Sequence, residues 1–177
     1  MNFPSLYVSA SATVLPIPFR LRVLRSLTSI IEQVNPTKGQ HFDLRGAVFR
    51  GRARFGDDDP TPMVSILEAP IPQGSSQSKG DNTKVISEWE LLIQGWSDDD
   101  RRNPSDAAHH LMAEVKSVLV REKKKDRGNN LLGMGGRVVD MYVGQGTVRP
   151  PDDPVSEAFF WLTLTLRLAE DLEQPYA

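Results

Sequence analysis

The first regular hydrophobic pattern begins after residue 17. Apolar side chains recur there at steps of three and four residues, at Leu21, Leu24, Leu27, Ile31 and Val34. This spacing predicts an amphipathic helix over residues 18–34, with Pro18 in its first turn. Asn35-Pro36 is expected to end it, because proline disfavours helical geometry in the residue before it. Residues 1–17 have no helical period, and we predict an extended N-terminal arm.

The pattern then changes to alternation, which is typical of strands. In residues 46–55 three apolar positions alternate with three basic ones, namely Phe49, Ala53 and Phe55 with Arg50, Arg52 and Arg54. This predicts a strand with one basic face. An acidic turn at residues 57–60 and a second strand over residues 63–68 complete a predicted hairpin.

Residues 69–84 are rich in Pro, Gly and Ser, and we predict a long mobile loop there. Alternation returns over residues 85–96, where Trp89 is on the apolar face. Asn103 is a suitable cap for a second helix, with Pro104 in its first turn and Asp106 closing a capping box. This helix is expected to end in the cations of residues 121–125, before Gly128.

Two further strands are predicted, over residues 138–143 and 159–168. In the second, leucines and Phe160 face one way, and Trp161, Thr163, Thr165 and Arg167 face the other. The order of elements predicts an α+β fold, with a mostly antiparallel sheet of about five strands and two main helices on one face. We expect one domain over residues 18–170, the arm before it and a C-terminal tail over residues 171–177.

Composition excludes several classes of protein. Hydrophobic residues make up 39% of the chain and charged residues 25%, as in ordinary globular domains. The absence of cysteine excludes disulfides, thiolate metal sites and a cysteine nucleophile. The net charge of −2 offers no bulk attraction to nucleic acid or membranes. No secretory signal or membrane span is recognised, so we expect synthesis in the cytoplasm.

Several clusters contain residue types found in metal, catalytic or phosphate-binding sites, but none has the spacing that such a site requires. The acidic triplets at residues 57–59 and 98–100 lack calcium-loop spacing. His109 and His110 are adjacent and therefore point to different sides of a helix, and His41 has no evident partner. The glycines of residues 133–136 precede a strand instead of a helix, unlike a phosphate loop. We therefore expect no catalytic residue, no metal and no cofactor.

The arginines at positions 50, 52 and 54, with Arg45 just before them, leave two interpretations open. They are either a solvated sheet face paired with Glu88 or Glu90, or a surface for an acidic protein or for phosphates.

Three segments resemble a known family. They are the Pro-Met-Val-Ser-Ile-Leu-Glu strand at residues 62–68, the Gln-Gly-Trp-x-Asp-Asp turn at residues 94–99 and the Asn-Pro-x-Asp-Ala helix start at residues 103–107. With the order of elements from about residue 18 to 170, they resemble the tail-terminator (tail-completion) proteins of tailed bacteriophages and related minor tail proteins. The N-terminal arm and the length of the 69–84 loop fall outside that pattern.

The resemblance implies a structural virion protein without enzymatic activity. Such proteins form hexameric rings that cap the tail tube, end its polymerisation and join the tail to the head connector. It makes Arg45, Arg50, Arg52 and Arg54 candidates for a lumen through which DNA passes without specific binding. It makes Leu6, Val8, Trp96 and Trp161 candidates for contacts between subunits, and it implies location in the virion after synthesis in the host cytoplasm.

Two alternatives remain open, namely another neck protein such as a head–tail stopper, and a nucleic-acid-binding module that uses the arginines. A nuclease is disfavoured, because Glu68, Glu88 and Glu90 have no lysine partner at a strand end.

Overall fold

The computed structural model describes residues 15–56, 58–69, 76–79, 83–98, 102–125, 129–151 and 157–176. In chain order the main elements are α1 (Phe19–Ile31), β1 (Val48–Arg50), β2 (Met63–Glu68), β3 (Ser76–Lys79), β4 (Lys84–Ser97), α2 (Asp106–Lys124), β5 (Val138–Arg149) and β6 (Ala158–Asp171). Short 3-10 turns, Pro36–Lys38 and Leu131–Gly133, follow α1 and precede β5. The predicted α+β class is confirmed.

The described strands form one mixed sheet in the order β1-β2-β4-β6-β5, and β3 pairs with β4 beside this path. All pairings are antiparallel except that of β1 with β2. The longest ladder joins β4 to β6 along their full lengths, from Lys84 opposite Asp171 to Ser97 opposite Ala158. The central pair of the sheet is therefore formed by strands far apart in sequence.

Both helices pack on one face of the sheet, as the hydrophobic pattern predicts. One continuous core contains α1 and α2 side chains together with the alternating residues of the central strands, which are Trp89, Leu91 and Ile93 of β4 and Phe160, Leu162, Leu164, Leu166 and Leu168 of β6. α1 contacts β1 and α2, while α2 lies across β4, β5 and β6. We call the opposite side of the sheet the outer face.

The predicted β1–β2 hairpin is wrong. The two strands run parallel, with Val48 opposite Val64 and Arg50 opposite Ile66. β1 has three residues because Gly51 takes a left-handed conformation with φ +75°, which ends the extended backbone. The twelve residues between the strands return the chain from the end of β1 to the level of its beginning, as a parallel connection requires.

Other boundaries also differ from the prediction. The segment assigned to a loop contains strand β3, and α1 ends at Ile31, three residues early. α2 begins at Asp106, and Asn103 accepts the Asp106 backbone N–H through its own carbonyl at 3.1 Å. The predicted side-chain cap and capping box are therefore wrong. β5 continues to Arg149, past a register shift between residues 143 and 146, and β6 covers residues 158–171.

Candidate interaction surface

The arginines predicted to share a strand face point to different partners. Arg45 lies before β1 and binds Asp43, with 2.8 Å between its Nε and Asp43 Oδ1. Hydrogen bonds from the side chain and the backbone N–H of Arg45 lower the pKa of Asp43 to about 2. Arg50 is the last residue of β1, and its Nη1 donates to Thr28 Oγ1 of α1 at 2.8 Å. Arg50 is exposed, but its hydrogen bond to Thr28 joins the helix layer to the sheet.

Arg52 and Arg54 lie beyond the end of β1, in the connection to β2. The Arg52 guanidinium binds Asp59, and its Cζ lies 3.9 Å from the centre of the Phe49 ring. Its backbone N–H also donates to Ser65 Oγ at 3.1 Å. Arg54 is exposed, and its guanidinium binds none of the residues that the structure describes.

The prediction that Arg50, Arg52 and Arg54 share one face of a strand is therefore wrong. Alternating sequence does not make alternating faces once Gly51 has turned the chain. Pairing with the predicted glutamates is wrong as well, since Glu88 lies opposite Arg167 and Glu90 opposite Thr165 in the β4–β6 ladder. That any of the four arginines lines a ring lumen stays a prediction.

Trp96, predicted at a subunit contact, is buried inside the chain. It is 2% exposed and forms a second core on the outer face with Met63 and Phe159, against which Phe49 and Phe55 pack. The ring centres of Phe55 and Trp96 are 6.0 Å apart. Because the β1–β2 connection covers this tryptophan, it belongs to the core and offers no surface to a neighbour.

Trp161 does lie at the surface. It is 42% exposed on the outer face, with its ring centre 5.4 Å from that of Phe159. Around it are the half-buried side chains of Leu92, Gln94 and Thr163, whose positions follow from the β4–β6 register. Leu92, Gln94 and Thr163 make the surroundings of Trp161 uncharged, whereas Arg149 lies opposite Phe159 beside the second core. Leu6 and Val8, the other predicted contacts, lie outside the described residues.

The sequence pattern missed a second exposed surface, the edge of β5. Val139 is 44% and Tyr142 54% exposed. Lys123 of α2 reaches this edge, with its Nζ 2.9 Å from Asp140 Oδ1 and 4.5 Å from the centre of the Tyr142 ring. A hydrogen bond to Asp140 raises the pKa of Tyr142. No local signal in the sequence marks this edge, because it follows from the strand order, in which β5 comes last.

An ion pair lies near the end of β6, where Glu170 is opposite Val85 of β4. Arg20 donates to both carboxylate oxygens of Glu170, at 3.0 and 2.7 Å, and Ser87 Oγ lies 3.3 Å from Glu170 Oε2. Burial acts to raise the pKa of Glu170, but the hydrogen bond and charge of Arg20 outweigh it and lower the pKa. Two grooves of about 230 and 260 Å³ adjoin this pair, and Arg137 lines both. The Arg137 guanidinium carbon lies 3.8 Å from the centre of the Phe19 ring.

The clusters considered for catalysis or metal binding are dispersed. His41 Nδ1 lies 2.7 Å from Glu114 Oε1, while His109 and His110 are exposed on α2. Asp59 accepts the Gly56 N–H at 2.9 Å, within a turn. The glycines of residues 133–136 make the predicted turn into β5, with Gly133, Gly135 and Gly136 all at positive φ. Among the described residues, no three metal-binding side chains come together.

The same residues include no helix long and apolar enough to cross a membrane.

Comparison with known proteins rests on the fold. No protein-family model matches the sequence, and a search of characterised proteins found no match. The fold matches a chain in the virion of a native gene transfer agent (GTA) particle, with a TM-score of 0.50. The match covers 86% of this chain and 96% of the virion chain, at 15% sequence identity. At this identity the likeness establishes the fold, over nearly the whole of the virion chain.

Proposed function

We propose that this protein is a structural virion component that forms a ring on the end of a phage tail tube, ends tube polymerisation and joins the tail to the head connector. The observation that carries the proposal is the similarity of fold to a chain of a gene transfer agent virion, across 96% of that chain. The tail-terminator resemblance of residues 62–68, 94–99 and 103–107 supplies the finer assignment.

The surfaces of the described residues are compatible with this role. A ring requires two different patches on each copy that contact each other and close. The outer face around Trp161 and the exposed side chains of Val139 and Tyr142 on β5 are candidates for two such patches. Both are interaction surfaces, and we propose that the protein has no enzymatic activity.

Electron microscopy and native mass spectrometry of the full-length protein test the ring. A hexamer of this 19.7 kDa chain has a mass of about 118 kDa. We expect rings at high protein concentration, or on addition of tail tubes that lack a terminator. A monomer under both conditions would contradict the proposal. Rings that bind only head connectors, and leave tube length unchanged, would instead identify a head–tail stopper.

Nucleic-acid binding is the rival function, and the arginines separate the two. Arg45, Arg50 and Arg52 each have a partner within the chain, so a free protein is expected to have little affinity for DNA. We expect an Arg52→Glu, Arg54→Glu variant to retain the assembly behaviour of the wild type. Strong DNA binding by the wild type, with a steep salt dependence that this variant loses, would favour the rival.

A further inference from the structure

The edge of β5 is open over its second half. β5 pairs with β6, and among the described strands none lies on its other side. Such an edge presents unpaired N–H and C=O groups that can accept another strand. Lys123 covers the first half by binding Asp140 and Tyr142. Residues 144–149, which we call the open edge, are mostly exposed and carry no charge before Arg149.

The N-terminal arm has the composition of a strand that such an edge accepts. Residues 1–14 lie outside the described residues, so their sequence is the guide to what they bind. The first charged residue of the chain is Arg20, and residues 5–14 contain neither proline nor glycine. They include Tyr7, Val8, Thr13 and Val14, which favour strands. Ten extended residues span about 33 Å, and the six-residue open edge spans about 20 Å.

α1 begins beside the start of β5, at the end of that strand farther from the open edge. Leu15 is 77% exposed, and four residues later Phe19 lies beneath the guanidinium of Arg137, the residue that precedes β5. Pro16 and Pro18 restrict the backbone between arm and helix. Residue 15, to which the arm is joined, therefore lies at the surface.

We propose that residues 5–14 of one copy add as a strand to the open edge of β5 in a second copy. This inference rests on the proposed function, because it supplies the contact between neighbouring copies in the ring. The contact is heterologous, arm to edge, so it can repeat from copy to copy and close. Backbone hydrogen bonds give such strand addition its affinity, and alternate side chains give it specificity.

Engineered cysteines test the contact, since the chain has none of its own. One set of variants carries a single cysteine at each position from 6 to 13, and an affinity-tagged partner carries Thr147→Cys on the open edge. After mixing and mild oxidation, we expect tagged–untagged dimers at every second arm position, because strand side chains alternate. Ser29→Cys, exposed on α1, is the matched control and is expected to give no such dimer.

A second variant measures the contribution of the contact to assembly. Val8→Pro removes a backbone N–H from the arm and leaves every described residue unchanged. We expect it to raise the concentration needed for assembly roughly tenfold, whereas Val8→Ile leaves that concentration unchanged.

The outcomes separate this inference from the proposed function. Rings that form without arm-to-edge dimers at any position would overturn the inference and leave the ring intact. A Val8→Cys, Thr147→Cys double variant that forms only an internal disulfide would show that the arm binds its own edge, which also overturns it. A wild-type protein that never assembles would overturn both.

Discussion

Replacing Gly95 with alanine is expected to destabilise the protein, although alanine is ordinarily preferred to glycine within a strand. Gly95 lies in β4 directly opposite Phe160 of β6. A Cβ at this position would lie 2.6 Å from Cζ of the Phe160 ring, well inside ordinary contact distance. Phe160 is completely buried, so the ring has no free space to enter. Overpacking of this kind costs about 1–3 kcal/mol, and the close contact favours the upper end of that range.

Urea denaturation followed by the fluorescence of the three tryptophans measures this change. In a chain of this size, a loss of about 3 kcal/mol lowers the unfolding temperature by roughly 6–12 °C. Phe160→Ala alone should cost about 3–5 kcal/mol through the cavity that it leaves. In that background the clash is gone, so Gly95→Ala should become neutral or stabilising. Additivity of the two changes within about 0.5 kcal/mol would refute the reasoning, because independent sites behave in that way.

Two further predictions concern stability. Glu170 has a folded-state pKa below its ordinary value of 4.5, so its pairing with Arg20 stabilises the protein above about pH 4.5, and this stabilisation is lost as the pH falls through the folded pKa. We expect Glu170→Gln to cost about 1 kcal/mol at pH 7 and to approach wild-type stability near pH 3 in denaturation curves; an equal gap at both pH values would contradict the assignment. Trp96→Ala, at the buried tryptophan, should cost about 3–5 kcal/mol, while Trp161→Ala, at the exposed one, should cost much less and act on assembly. Comparable losses in unfolding free energy for the two variants would contradict their different burial.

The central architecture could be predicted from the sequence because its signal is periodic. Five leucine and phenylalanine positions alternate along β6, and two helical faces repeat at three- and four-residue steps, so burial on one face follows directly. The helix start at Asp106 could not be predicted in the same way. Asn103 and Pro104 favour a helix start locally, but the chain uses them in the turn before it, with the Asn103 carbonyl as acceptor.

The candidate surface was harder to predict, because it depends on contacts distant in sequence. The arginines of residues 50–54 alternate with apolar residues as a strand would, yet Gly51 ends β1. Arg50 is directed by Thr28 and Arg52 by Asp59, both outside the alternating pattern. The burial of Trp96 depends on Phe55, which reaches it only through the β1–β2 connection. No local period encodes either relationship.

The position of β6 has a consequence for how the chain folds. It is the last described strand in the sequence, but it lies between β4 and β5 and pairs with both along most of its length. While the ribosome is still making residues 138–149, β4 and β5 lack the strand that joins them, and the apolar side chains of α2 have only part of their final packing partners. Formation of the central ladder must therefore follow synthesis of residues 158–171, and this non-local closure favours slow folding. During that interval the unpaired edge of β4 is the segment most exposed to pairing with another chain.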